Sequence, residues 1–289
     1  MKIEEYKLLD SGMCRKLEQV GPFRIIRPAL NAFWQPQLPE KEWLRADAVL
    51  TRDSRGNGHW EFKRELPEKW QVRYAGFNLA VKATAFGHLG FFAEQYRNWK
   101  SFETGIASMG KEVRALNLFA YSGIGSMAMA RGGAMVTHLD AARGMVEWAQ
   151  ENLSLNPDIP ANIRWIVDDV TKFCQREVRR GSKYQLIAMD PPTFGRGSKA
   201  QVWKIEDDLV NLLKLCRQMT DDNKPFRMVL SSHSPGFSVR VLSNMIEDVF
   251  GRGNTEGEEM TVMDASGRWL PAGVGHNEGH GRGGRNQEQ

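Results

Sequence analysis

From Val113 onward the chain alternates short apolar runs with amphipathic stretches, and no other feature restricts its fold as much. The apolar runs at 113–119, 135–139, 163–167, 184–189 and 226–230 have the length of buried strands. Helical spacing fills 123–131, 141–155, 170–180, 200–219 and 238–250. Strand–helix alternation of this kind predicts an α/β fold with a doubly wound, Rossmann-like parallel sheet covered on both faces. Such sheets take their ligands beyond the carboxyl ends of the strands, where strand order reverses, so the loops after each strand are where chemistry is sought.

The first third reads differently. From Phe23 to Ala85 short runs are punctuated by Pro, Gly and Asn, and Gly56, Asn57 and Gly58 sit between strand-like flanks as a hairpin turn would. A small antiparallel β module over 1–86 is expected, followed by the sheet domain over 87–265, which opens with a helical stretch before Gly110. The end, VGHNEGHGRGGRNQEQ, is Gly-rich and polar, and predicts a flexible tail over 266–289. Just before it, EEMTVMDASGRWLPAG offers one clear strand, EMTVM. His276 and His280 are spaced for a metal, but HNEGH is not HExxH and has no helix around it, so no metal site is expected.

Charge is unevenly placed. Residues 1–100 hold 17 Lys+Arg against 12 Asp+Glu, out of 39 and 35 in the whole chain, and carry five of its nine tryptophans. A basic, aromatic-rich front suits a nucleic-acid-binding module, with Arg24, Arg27, Lys63, Arg64 and Arg73 gripping phosphates. It suits equally well a set of tryptophan-packed strands with a solvated basic face. No run approaches the ~18 apolar residues of a membrane span, and the start, MKIEEYKLLDSGMCRKLEQV, lacks the apolar stretch of a secretory leader. Cys14, Cys174 and Cys216 are scattered and without CxxC spacing, which argues against disulfide scaffolds and zinc ribbons and for a reducing cytoplasm. Nothing in the sequence specifies an oligomeric state.

Four segments carry candidate chemistry. In LNLFAYSGIGSMAMARGG (116–133) a strand ends near Ala120, a glycine turn follows, and a small-residue helix begins. Ala120, Tyr121, Ser122, Gly123 and Gly125 would cradle a nucleoside, the two glycines letting the backbone approach it. Read strictly, Gly123 to Ala128 also fits the GxGxxA dinucleotide pattern, so an NAD-linked oxidoreductase stays open here. Asp140 ends the next strand, where a carboxylate can hold both hydroxyls of a ribose or cap the helix from Ala141. Asp168 and Asp169 end the third strand and could accept from an adenine amino group or cap the helix from Val170. The fourth strand ends in Asp190-Pro191-Pro192-Thr193-Phe194. There a carboxylate and carbonyls that proline keeps from being lost into a helix or a ladder form a set of acceptors for the amino or imino protons of a base, with Phe194 available to cover its face. The alternative is a chance turn.

With these residues in hand, the chain from about Phe86 to Gly236 resembles the S-adenosylmethionine (SAM)-dependent ribosomal-RNA large-subunit methyltransferases, which include a cytosine-C5 enzyme and the guanine-N7 half of a bifunctional one. The matching pieces are FGHLGFFAEQYRNW, LNLFAYSGIGSMAMARGGA, the Asp140 strand, AQENLSLN, DDVTKF and MDPPTF. The resemblance implies a class I methyltransferase sheet with SAM over Ala120–Gly125. Asp140 and Ala141 would lie at the ribose, Asp168 or Asp169 at the adenine, and Asp190 at the methionine end or the target base. It also implies that His88 to Gln95 closes over the cofactor through Phe92, Glu94 and Gln95, a stretch that reads just as well as interface packing. C5 chemistry needs a cysteine nucleophile. Where the cytosine enzyme has it, in the segment aligned with LSSHSPGF, this chain has His233, which could accept a proton or merely end a strand. The expectation is therefore SAM-dependent methylation of a base nitrogen in ribosomal or other structured RNA, with Asp190, Pro191, Pro192, Phe194 and His233 at the reacting centre. A protein or small-molecule substrate is the alternative.

Overall fold

A computed structural model describes residues 5–53, 58–196 and 202–280. The chain divides into two compact units. The first comprises the described residues up to Tyr96 together with Ser154–Asn156 and Met260–Ala272; the second holds Arg97–Leu153, Pro157–Glu259 and the residues from Gly273 onward. The expected boundary at 86/87 thus falls inside the first unit.

In the first unit β1 (Tyr6–Gly12), β2 (Arg15–Val20), β3 (Phe23–Pro28), the short helix α1 (Glu40–Trp43), β4 (Ala48–Arg52) and β5 (Gly58–Phe62) follow one another. The five strands form one sheet in sequence order, antiparallel except for the parallel pair β3–β4. Strands β6 (Trp70–Tyr74) and β7 (Phe77–Val81) make a separate hairpin, and a 3-10 turn spans Ala93–Gln95. The strands β4 and β5 that flank the expected hairpin do pair antiparallel; its residues Gly56 and Asn57 lie outside the described residues, and Gly58 opens β5. The β1–β2 hairpin has no counterpart in the sequence reading. It turns at Met13 and Cys14, both left-handed (φ 50° and 57°), a conformation that hairpin turns usually give to Asn and Gly.

In the second unit α2 (Tyr96–Ser108) leads into β8 (Arg114–Leu118), α3 (Ile124–Arg131), β9 (Met135–Asp140), α4 (Arg143–Ser154), β10 (Ile163–Val167) and α5 (Val170–Arg179). Then follow β11 (Leu186–Met189), β12 (Phe194–Arg196), β13 (Val202–Lys204), α6 (Ile205–Gln218), β14 (Phe226–Ser232), α7 (Val239–Phe250), β15 (Asn254–Met263) and β16 (Trp269–His280), the last two divided between the units because Met260–Ala272 belongs to the first. The sheet order is β10-β9-β8-β11-β14-β16-β15, with β10 to β14 parallel and β16 antiparallel to β14. Strand order reverses between β8 and β11.

The five parallel strands need cover on both faces, and their sequence supplies it. Leu116, Leu118, Leu139, Met189 and Leu230 join Phe173, Leu209, Leu213, Leu242 and Ile246 of α5, α6 and α7 in one buried cluster. On the opposite face Asn117 and His138 meet α3, whose Ser126, Ala128 and Ala130 are small enough to let it lie close to the strands.

Two expectations are corrected here. Residues 269–280 are not a flexible tail: they form β16, with Ser232 opposite Val274 and Phe226 opposite His280, and His276 and Glu278 are fully buried. Residues 281–289 lie outside the described residues. Residues 202–204 are not helical but pair, as β13, with the segment after the two prolines.

Candidate active site

Residue Leu118 pairs with Met189, so Phe119–Gly123 and Asp190–Pro192 leave the carboxyl ends of neighbouring strands at the reversal of strand order. That is where a doubly wound sheet opens a crevice. The loop after β8 is bent by three left-handed residues, Phe119 (φ 53°), Tyr121 (φ 50°) and Gly123 (φ 86°). Two of the six such non-glycine residues among the described ones sit in this single loop, and strained backbone of this kind collects at ligand sites.

Asp140 braces the loop. Its Oδ2 accepts the Tyr121 amide (2.9 Å) and its Oδ1 the Ala142 amide (2.9 Å) at the start of α4. Burial raises its pKa, and the Ala142, Tyr121 and Ala141 amides work against that rise. A carboxylate oxygen carries two acceptor sites, so this bracing leaves capacity for ribose hydroxyls. Asp169 caps α5, accepting the Lys172 amide (2.9 Å). Asp168 is ion-paired with Arg176, a partner with no counterpart in the sequence reading.

The two glycines also sit in close packing. A Cβ on Gly123 would lie 2.6 Å from the Ala149 Cβ of α4, and one on Gly125 3.1 Å from Asn117 Nδ2. The space a side chain would need is filled by the protein itself, so packing alone already requires glycine at these two positions. Beneath them Asn117 donates to Ser126 Oγ (3.0 Å), which also bonds His138 Nδ1 (3.0 Å). Burial lowers the His138 pKa to about 3, so its ring is neutral at physiological pH.

At the next corner Asp190 Oδ1 lies 3.3 Å from His233 Nδ1, which follows β14. Thr193 Oγ1 and Ser234 Oγ are 2.6 Å apart and tie the same two loops together. The diproline carbonyls are only partly available. Pro192 O accepts the Trp203 indole N–H (2.8 Å), Thr193 O accepts the Ile205 amide (3.1 Å), and Phe194 enters the β12–β13 ladder opposite Lys204. The expectation that these carbonyls escape a ladder is corrected for Pro192 and Thr193, whereas Asp190 and Pro191 precede the ladder. Phe194 is half exposed, and Trp203 packs on Phe119 with ring centroids 4.9 Å apart. Trp203 carries no signal of its own in the sequence, because it falls in the stretch 200–219 whose spacing is helical.

Phe92, Glu94 and Gln95 belong to the first unit, Glu94 and Gln95 being buried in the 3-10 turn. The expected phosphate grip is also revised. Arg27 is held at short range by buried Glu18 (Nε–Oε2 2.6 Å), Arg24 pairs with Glu42 (2.9 Å), and Arg64 lies over the Phe23 ring. Lys63 and Arg73 are exposed. Cys174 and Cys216 are buried in the sheet core, and Cys14 lies in the β1–β2 turn.

Comparison with known proteins agrees with this geometry. The model of a family of S-adenosylmethionine-dependent methyltransferases matches residues 47–219. The chain belongs to that family and is a SAM-dependent methyltransferase. A solved SAM-dependent methyltransferase from Agrobacterium tumefaciens is 35% identical, with a TM-score of 0.88 over 96% of this chain and 91% of that one. A methyltransferase solved with S-adenosylhomocysteine shares the fold at 18% identity and a TM-score of 0.75, covering 96% of this chain and 76% of that one. Among curated proteins, the ribosomal RNA large subunit methyltransferases K/L of Syntrophotalea carbinolica (27% identity) and Pseudomonas paraeruginosa (30%) match 59% and 58% of this chain. The matched region spans under a quarter of those relatives, 23% and 22% of their lengths.

The residues present fit SAM. Carboxylates at the ends of β9, β10 and β11 form a row of acceptors for a ligand that offers ribose hydroxyls, an amino-bearing base and two positive centres, its ammonium and its sulfonium. Among the described residues no helix is long and apolar enough to cross a membrane.

Proposed function

We propose that this chain methylates a base nitrogen of ribosomal RNA, with Asp190 and His233 at the reacting centre. The observation that carries the reading is the Asp190–His233 pair (3.3 Å) at the carboxyl ends of β11 and β14, beside the strained loop after β8. Bound SAM supplies a methyl group made electrophilic by the sulfonium, with Ala120–Gly125 and Asp140 as its proposed cradle and Asp168 or Asp169 nearest the adenine. The chain's own work is positional, bringing a nitrogen lone pair to reacting distance and in line. One Asp190 oxygen and the Pro191 carbonyl accept N–H groups of the base, and Phe194 covers its face. With its Nδ1–H directed at Asp190, His233 keeps Nε2 as the basic nitrogen, able to take the proton released when an N–H is methylated.

A cytosine-C5 reaction is less well supported. It needs a thiolate at this corner, and the three cysteines lie in the sheet core and in the β1–β2 turn. Ribosomal RNA is favoured as substrate by the names of the curated relatives. The test is mass-spectrometric comparison of modified nucleosides in ribosomal RNA from wild-type cells and cells lacking the gene. Loss of one N-methylated nucleoside, restored by purified protein and SAM, is expected. An unchanged rRNA profile with methyl groups entering protein or a small molecule refutes the substrate assignment, and loss of a 5-methylcytosine refutes the nitrogen.

A further inference from the structure

Methyl transfer from SAM tolerates little error in placement: moving donor and acceptor apart by about 1 Å costs on the order of a hundredfold in rate. In the reading above two loops set that separation, Phe119–Gly123 after β8 and Asp190–Pro192 after β11. We propose that Trp203 is the positioning residue that fixes one loop against the other. The inference rests on that reading in placing the methyl acceptor at the diproline loop, and it holds whether the acceptor is RNA or another molecule.

Pro191 and Pro192 have no N–H, so neither can donate a main-chain hydrogen bond that would tie its loop down. Phe119 is left-handed (φ 53°), and a non-glycine residue keeps that conformation only where its surroundings enforce it. Trp203 meets both needs. The chain leaves the prolines as β12, returns as β13 and sets Trp203 opposite Gly195 in the ribbon. From there the indole N–H donates to Pro192 O (2.8 Å), and the ring packs on Phe119 with centroids 4.9 Å apart and planes at 58°. Both rings lie against the buried core of the sheet, which backs the contact.

The two parts of the indole face different loops. Its N–H is a donor only and needs an acceptor, which Pro192 supplies, while its apolar ring finds Phe119 at the spacing aromatic pairs prefer. Strand β11 lies between β8 and β14, and its loop is held to both sides: through Trp203 to the loop after β8, and through Thr193 Oγ1, 2.6 Å from Ser234 Oγ, to the loop after β14. Contacts at residues 192 and 193 thereby place the Asp190 carboxylate and the Pro191 carbonyl just before them. A tryptophan that merely fills space changes stability and leaves the rate of bound reactants alone. One that sets the separation of two loops changes the rate of reactants already bound.

The test is single-turnover methyl transfer by the full chain at saturating tritium-labelled SAM, which separates chemistry from binding. The acceptors are the RNA, protein and small-molecule fractions of cells lacking the gene, assayed in parallel. Trp203→Phe keeps a ring for Phe119 and loses the donor for Pro192; its rate is expected to fall about tenfold, with S-adenosylhomocysteine affinity within about twofold of wild type. Trp203→Leu loses both contacts and should fall about a hundredfold. Val136→Ala, a buried change at the amino end of β9 and so at the end of the sheet opposite both loops, should lower the melting temperature and leave the rate near that of wild type. A Trp203→Leu rate within about twofold of wild type overturns the proposal, as does a rate loss that Val136→Ala matches at an equal fall in melting temperature. Weakened S-adenosylhomocysteine binding with an unchanged saturated rate also overturns it and moves Trp203 into the cofactor site. Should Trp203→Leu not fold, Trp203→Phe decides alone by the same comparisons. Which fraction the wild type labels reports on the RNA reading, and the ratio of variant to wild type within that fraction reports on Trp203, so the two readings fall separately.

Discussion

Replacing Gly123 with alanine separates two roles that a glycine turn at this point could play. The backbone there is left-handed (φ 86°), and the new methyl would sit 2.6 Å from the Ala149 Cβ. A left-handed conformation costs a non-glycine residue about 1–2 kcal/mol, and forcing a methyl into packed surroundings costs about 1–3 kcal/mol more. The sum, about 2–5 kcal/mol, is a large part of the ~5–15 kcal/mol that holds a typical domain together. With a urea slope of about 2 kcal/mol/M, the unfolding midpoint should drop by about 1–2.5 M. Adding Ala149→Gly relieves the clash but not the backbone strain, and glycine inside α4 costs about 1 kcal/mol of its own. Recovery in the double variant should therefore be partial. Urea titrations of wild type, both single variants and the double, each with an S-adenosylhomocysteine titration, provide the data. An unshifted midpoint with weakened cofactor binding would refute the packing argument and return the glycine to its ligand-approach role.

Three more outcomes follow from the geometry. Burial alone would raise Glu18, but Arg27 and then Lys16 hold it down to about 2 from 4.5; a carboxylate depressed in the folded state stabilises above its unfolded pKa and loses that contribution as pH falls from about 4.5 to 2. The stability gap between wild type and Glu18→Gln, measured by urea unfolding from pH 7 to pH 2, should therefore be about 3 kcal/mol or more at neutral pH and close on acidification; a gap constant with pH contradicts the pairing. Burial, then Glu247, pushes Glu278 up to about 7, so the folded state binds its proton more tightly and stability falls as pH rises from about 4.5 through 7. Glu278→Gln should thus raise the melting temperature at pH 8 more than at pH 5, and an equal shift at both would place the cause elsewhere. Asp190→Asn should lower methyl incorporation into RNA by about 10²–10⁴-fold, with His233→Gln losing less, and wild-type rates from Asp190→Asn would remove it from the reacting centre.

The sheet domain was legible because its signals are local. Strands buried on both faces read as unbroken apolar runs, and β8, β9, β10, β11 and β14 begin and end within two residues of expectation. Asp140 and Asp190 were visible as acids at strand ends. What the sequence concealed depends on partners distant along the chain. Arg27 reads as a phosphate ligand in sequence, but Glu18, nine residues earlier on the neighbouring strand, holds it. The β1–β2 turn carries Met13 and Cys14 where a hairpin is normally announced by Asn-Gly. Strand β16 contains Pro271 and three glycines, a composition of loops, and becomes a strand because β14 offers it a partner from Phe226 to Ser232. Gly123 fits a ligand-binding pattern, and the packing that also demands a glycine there comes from Ala149 of α4, supplied two elements later.

The late return of the chain to its first unit has a consequence for synthesis. Leu270 completes an apolar cluster with Leu8 and Ala32, Asn31 Nδ2 donates to the Pro271 carbonyl (3.1 Å), and Asn156 bonds both the amide and the carbonyl of Asn78 (2.9 and 2.8 Å). On the ribosome, at roughly 5–20 residues per second, Asn31 must wait for 240 further residues before Pro271 is made. A fragment cut after Tyr96 would lack those neighbours altogether, leaving Leu8, Asn31, Ala32 and Asn78 without contacts they make in the whole chain.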